Sequence, residues 1–259
     1  MDAVERFAAL MGGRGPGPTL DVGALAIAAG ADPTLEPAVW LAELDRLAEG
    51  VGSLDRLVWR LFVEEHFSGN QSDYYDPRNS LLNQVLTRKL GIPITLSVVC
   101  IEVGRRAGVP LEGVGMPGHF LVRPVGTDRY LDAFAGGTLL DLADCEARFR
   151  ASTGAGPEVK FGRHLLSTTP TRSILARILA NLRGAYRRRN MAADLEWVLR
   201  MRLVLPGVTA GEVVELGRAI GQQGRWLEGA TFLDTQAEEY PHWAQVLHPA
   251  ARALRAELN

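Results

Sequence analysis

The apolar period of this chain changes at Gly108-Val-Pro110. Before that point apolar residues recur three and four apart; after it come short, often alternating runs, Leu111 to Met116, His119 to Val125 and Arg129 to Phe134, separated by Pro117-Gly118 and Gly126-Thr-Asp128. A helix needs the first spacing and a half-buried strand the second, so helices followed by an antiparallel meander are expected. That order is α+β. With 259 residues, 47% of them hydrophobic, the chain can bury a large core.

The helical part has readable ends. Gly12 to Pro18 is a Gly/Pro-rich interruption, Pro37 suits a first helical position, and Ser53 suits an N-cap for the segment bearing Leu54, Leu57, Val58, Leu61 and Phe62. Ser80 is expected to cap Leu81 to Leu90, with Gly91 closing that helix; Pro93 then opens another, from about Ile94 to Ala107. The polar stretch Phe67 to Ser80 carries turn formers and aromatics together, which predicts an ordered loop. After a Gly/Ser/Thr-rich link at Ala151 to Pro157 the chain reads as helix after helix. Leu182 and Tyr186 recur there as Leu216 and Ile220, 34 residues on, a faint tetratricopeptide-like repeat that a plain bundle also explains. Three spans follow: a helical segment over 1–65 packing on the core, the core over 66–160, and a helical tail over 170–259.

Composition narrows the function. A net charge of −2 gives no general attraction to nucleic acid or anionic lipid. Cys100 and Cys145 are the two cysteines, with no Cys-x-x-Cys spacing and no clustered histidines, so neither a disulfide framework nor a metal site is expected, and no cofactor is implied. Met1 to Leu10 lacks a signal-peptide pattern and no apolar run approaches a membrane span, so a cytoplasmic location is the expectation.

The chemistry is carried by three blocks in order: Gly91-Ile-Pro-Ile-Thr-Leu-Ser97 opening a helix, Pro117-Gly-His-Phe-Leu-Val-Arg123, and Tyr130-Leu-Asp-Ala-Phe134. A helix N-terminus, a His strand and an Asp strand follow one another as in a thiol triad, where an Asp orients the His that activates a nucleophile. An even hairpin turning at Gly126-Thr127 sets His119 opposite Phe134 and makes Asp132 its diagonal neighbour on the same face. An odd turn would send Asp132 to the other face. Taken alone, a strand-end His under a loop, with Asp132 capping the next turn, explains the same residues.

The segment from Phe67 to Phe134 resembles the bacterial SirB family of transglutaminase-like proteins, in its Gly-Asn, Asp-Tyr-Tyr-Asp-Pro-Arg-Asn-Ser, Gly-Ile-Pro-Ile-Thr-Leu-Ser and Pro-Gly-His-Phe-Leu-Val-Arg blocks. The likeness covers about residues 40 to 150. It implies a papain/transglutaminase-like core, helices packed on a small antiparallel sheet, followed by an all-α repeat-like tail, with His119 and Asp132 as triad members. It also implies a Cys about four turns before the Gly-Val-Pro landmark, near Pro93 to Thr95, and none stands there. Cys100 lies about 140° around the helix from Thr95. Thr95 and Ser97 stand near the right height, but hydroxyls are poor substitutes for a thiol, and helix capping or packing accounts for both.

The remaining candidates divide in the same way. Cys100, inside Leu96-Ser-Val-Val-Cys-Ile-Glu-Val, reads as a buried small hydrophobe, and the acids beside Cys145 argue against a thiolate. Asn70, Tyr74, Tyr75, Arg78 and Asn79 either line a binding pocket beside His119 or form a self-satisfied scaffold with Asp73 and Asp76. Arg172, Arg177, Arg183 and Arg187 to Arg189 make a basic helix, read as a solvated face or a surface for an acidic protein partner, with nucleic acid disfavoured. Two functions follow. One is a non-catalytic protein- or peptide-binding scaffold with its partner on the helical tail. The other is an amide-bond hydrolase or acyl-transferase using Ser97, Thr95 or Cys100 with His119 and Asp132.

Overall fold

A computed structural model describes residues 1–13 and 17–258. The Gly/Pro interruption expected at 12–18 therefore lies partly outside the described residues. Helices α1 (Ala3–Gly12), α2 (Leu20–Ala31), α3 (Pro37–Ala48) and α4 (Leu54–Val58) come first, α4 running into a π-helical stretch at Trp59–Glu64. Pro37 opens α3, and the Ser53 hydroxyl accepts the Arg56 N–H at the start of α4.

The chain then forms β1 (Ser68–Gly69), a 3-10 turn at Pro77–Ser80, α5 (Leu82–Arg88) and β2 (Leu90–Gly91), with β1 and β2 paired in parallel. Two expectations change here. Asp76, not Ser80, does the capping, its carboxylate accepting the Arg78 N–H at the 3-10 turn; a short acidic side chain two residues before that N–H has the right reach. Lys89, in the left-handed region at φ 57, ends α5, which frees Gly91 to pair with Gly69. That pairing draws the Asn70–Ser80 loop against the start of α6 (Pro93–Arg106).

The central helix is α6. Pro93 takes its first position and eleven of its residues are buried, from Pro93 to Gly104. Its C-terminal end is tied to the N-terminal helices by Arg106, which pairs with Asp21 of α2 and Asp45 of α3, both at 2.6 Å. The meander β3 (Leu111–Val114), β4 (Leu121–Pro124), β5 (Tyr130–Asp132) and β6 (Thr138–Leu140) forms one antiparallel sheet in chain order. Alternation sorts its faces: Val122 and Leu131 join the main core with α6, whereas Val114, Leu121 and Tyr130 pack under α7 (Leu142–Thr153) with Cys145 and Phe149.

From α8 (Thr171–Arg188) the chain is helical: α9 (Ala192–Leu203), α10 (Ala210–Gly221), α11 (Trp226–Glu239) and α12 (Ala244–Ala256), each packed on its predecessor. Leu182, Tyr186, Leu216 and Ile220 are all buried in the main core, which runs without a break from Phe7 in α1 through α6 to Ile220; α11 and α12 close a smaller core over the other side of α10. The fold is α+β with a helical C-terminal region. Among the described residues no helix is long and apolar enough to cross a membrane.

The basic helix α8 is only partly a solvated face: Arg187 to Arg189 are exposed, but most of its arginines have partners within the chain. Arg172 donates to the Met11 carbonyl, Arg177 to that of His119, Arg183 pairs with Glu215, Arg188 lies over the Tyr75 ring and Arg189 pairs with Asp73. These partners lie 32 to 161 residues away in sequence, which local charge counting cannot anticipate.

Candidate functional site

His119 is placed by a turn. Pro117 and Gly118 fill its two central positions, the His119 N–H closes it on the Met116 carbonyl at 3.1 Å, and Gly118 supplies the φ of 74° that a type II turn demands. The β4–β5 register, with Val122 opposite Leu131, is the even one. Asp132 thus becomes the diagonal neighbour, and His119 Nε2 lies 3.0 Å from Asp132 Oδ1 with both residues buried. Phe134 meets the imidazole edge-on at 6.3 Å between ring centres.

Asp132 does more than hold His119. The same Oδ1 accepts the N–H groups of Phe134 and Ala135, capping a 3-10 turn, so the capping role and the pairing role coexist. Nε of Arg148 on α7 stands 3.1 Å from Oδ2, an ion pair out of line for a hydrogen bond, which leaves Oδ2 without a hydrogen-bond partner among the described residues. Burial alone would raise the Asp132 carboxyl; the His119 hydrogen bond and charge, then Arg148, carry it below the ordinary carboxylate range instead. An ionised carboxylate on Nε2 fixes the imidazole so that Nδ1 is its free nitrogen.

A cleft of 180 Å³ opens beside the ring, lined by Tyr74, Ile92, Pro93, Ile94, Gly118, Phe120, Arg177 and Asn181. The first turn of α6 contributes Pro93 and Ile94 to it, and no thiol or hydroxyl. Thr95 is buried on the other side, where its hydroxyl donates to the Asn79 carbonyl at 2.6 Å and accepts the Ile92 N–H at 3.1 Å. Ser97 donates back to the Pro93 carbonyl at 2.7 Å. Cys100 is fully buried, and burial pushes its thiol far above the ordinary range. None of the three touches His119 or lines the cleft. Cys145 sits beneath the sheet, its thiol pushed up to about 12 by burial and by the charges of Asp144, Asp141 and Asp132.

The Asn79–Thr95 contact explains why this loop needs a threonine at that point of α6. Thr95→Ala should cost about 1–2 kcal/mol in chemical denaturation, because a cap and a buried carbonyl partner go together. Thr95→Ser should recover most of it, and equal losses for the two would sink this role.

The loop residues satisfy one another. Asn70 donates to Asn79, Asn79 to the carbonyls of Asp73 and Tyr74, and Arg78 pairs with Asp76. Arg78 lines a different cleft with Asn83 and Asp194. Tyr74 reaches the His119 cleft, packed edge-on against Phe134, and Tyr75 lines its extension. Sequence reasoning missed β6, α7 and thereby Arg148; Asp141-Leu-Ala-Asp144 was the signal, since those acids form a capping box at the start of α7. Among the described residues no group of three or more His, Cys, Asp or Glu is placed to hold a metal ion.

A UPF0162 protein of Xylella fastidiosa is 49% identical over 129 residues, covering 49% of this chain and 46% of that protein. A UPF0162 protein of Pseudomonas aeruginosa is 36% identical over 176 residues, 64% of each chain. F-box only protein 21 of Mus musculus is 40% identical over 103 residues, 36% of this chain but 16% of that protein. The chain thus spans about half the length of the first of these relatives. No solved structure matches. The transglutaminase-like superfamily profile matches residues 35–180, which takes in α3 to the middle of α8, His119, Asp132 and every residue lining their cleft except Asn181. With more than half of its length in that match, the chain belongs to the transglutaminase-like superfamily.

Proposed function

We propose that the chain is a catalytically silent transglutaminase-like protein, of SirB type, that binds protein or peptide segments in the cytoplasm. The observation that carries this reading is Ile94: where the first turn of α6 lines the His119 cleft, it does so with Pro93 and this hydrocarbon residue. On this reading His119 has no thiol or aliphatic hydroxyl to activate as a nucleophile, since the hydroxyls of Thr95 and Ser97 are held by backbone carbonyls and the Cys100 sulfur is enclosed. The paired helices after α8, taken as tetratricopeptide-like, supply a further surface for a partner.

The buried His119–Asp132 pair favours one second reading, hydrolysis in which His119 acts as base on a water molecule. One comparison decides between them. Purified wild-type chain and His119→Ala are incubated with amide and ester substrates, glutamine peptides included. Equal background turnover is expected. Turnover tenfold or more above that of a folded His119→Ala variant would establish the hydrolase.

A further inference from the structure

The cleft beside His119 does not end at its 180 Å³. Tyr74, Ile92 and Asn181 also line a neighbouring 80 Å³ space that reaches Ser80 and Ala185, so a groove runs between the start of α6 and α8. The acids along it already have counter-ions. Asp76 is paired with Arg78 and Arg88, Asp73 with Arg189, and Asp132 with His119 and Arg148.

Arg177 has the opposite balance. Its Nη2 donates to the carbonyls of His119 at 3.0 Å and Met116 at 3.4 Å, and among the described residues no carboxylate stands within ion-pair distance of it. The N–H groups on Nε and Nη1 make no hydrogen bond to the described residues and are not sealed from solvent, and the guanidinium lies over the Phe120 ring at 5.2 Å. The guanidinium packs so closely on Gly115 that a Cβ at that position would collide with Nη1, which fixes the group in place. Burial pulls the Arg177 guanidinium below the ordinary arginine value, and its charge has the Phe120 ring beneath it but no carboxylate beside it. A half-buried charge without a counter-ion favours an anionic ligand.

The volume limits the ligand. A cleft of 180 Å³ is below the roughly 300–1,000 Å³ typical of drug-sized ligands and suits one side-chain-sized group. Ile94, Phe120 and Tyr74 give it apolar walls, while the planar guanidinium fork matches a carboxylate. We propose that the cleft binds a peptide carboxylate on a short apolar stem, the carboxylate on Arg177 and the stem against Ile94 and Phe120. Asn181, at the junction of the two spaces, is placed to meet the adjoining main chain. This assignment rests on the peptide-binding reading above. The carboxylate comes either from an acidic side chain or from a chain terminus.

The test is a titration of the isotope-labelled full chain, followed by the Arg177 Nε–H resonance and, in wild type and variant alike, by the backbone amide resonances of Gly118 and Asn181, which line the same cleft. Four probes are compared: N-acetyl-glutamate α-amide, N-acetyl-glutamine with a free α-carboxylate, the neutral N-acetyl-glutamine α-amide, and inorganic phosphate. At least one acid should bind saturably and at least tenfold tighter than the neutral amide, and which acid wins names the source of the carboxylate. Arg177→Met should lose tenfold or more. Should that variant not fold, the acid-against-amide comparison on the unmodified chain still decides. The proposal falls if the neutral amide binds as well as the acids, if neither acid binds, if phosphate binds tightest, or if folded Arg177→Met binds like wild type. Ammonia released from the glutamine probes in a His119-dependent way would instead overturn catalytic silence and leave carboxylate binding standing.

Discussion

Ile94→Cys should turn the silent cleft into a reactive-thiol site. The new sulfur would stand in the first turn of α6, at a position that lines the same cleft as the imidazole that Asp132 orients. Thiols at helix N-termini next to a His have pKa values of roughly 3.5–7.5 rather than about 8.5. Taking a value near 6, the thiolate fraction at pH 6 rises by about two orders of magnitude. Lower basicity returns about one of them, at a Brønsted slope of ~0.4–0.5. The expected net gain is therefore about tenfold in alkylation rate at pH 6 over an ordinary exposed thiol, with Cys100 and Cys145 silent because they are buried. Iodoacetamide labelling followed by mass spectrometry reads it. The gain should vanish in Ile94→Cys combined with His119→Ala. If both backgrounds label at one rate, Ile94 does not occupy the nucleophile position and the argument for catalytic silence loses its main support.

Asp132→Ala should be the most destabilising substitution around the cleft. The carboxylate is fully buried and holds His119, two backbone N–H groups and Arg148. Removing one member of such a set strands the rest, at about 3–5 kcal/mol. For a chain of this size that is a drop in melting temperature of roughly 6–20 °C. Asp132→Asn keeps an acceptor for the two amides and should lose less.

The pH dependence separates charge from packing. The folded state holds the Asp132 carboxyl below its ordinary value, so the unfolded chain binds a proton first as pH falls. Its contribution is therefore complete above the unfolded value of about 3.9 and is lost as pH drops through the lower folded value. Below pH 4 the wild-type curve should fall toward that of Asp132→Asn, the gap between them closing. A gap that stays constant from pH 6 to pH 2.5 would show that Asp132 acts by shape alone.

The sequence by itself determined the elements that make the His119–Asp132 pair and reduced their register to one question, whether the turn between them is even or odd, which the structure answers as even. Pro93 announces α6, and Pro117-Gly118 announces the turn that carries His119. Alternation on either side of an even turn leaves one face for Asp132. These are short-range constraints, written in neighbouring residues. The rotation of Cys100 away from the start of α6 was legible for the same reason, since a helix fixes direction within a few residues. Capping within Asn70–Gly91 was misplaced because Ser80, Asp76 and Gly91 are all competent turn residues, and only the β1–β2 pairing chooses among them.

Tertiary structure alone decided what surrounds the pair. Arg148 reaches Asp132 from α7, and Arg177 reaches the His119 carbonyl from α8, 58 residues away. Arg177 belongs to a helix whose sequence reads as basic surface, and Arg148 to a helix that sequence reasoning missed. Which guanidinium keeps a carboxylate and which is left facing a cleft depends on how those helices pack on α6 and the sheet. That packing is set by buried area summed over the whole core, and no local pattern of residues encodes it.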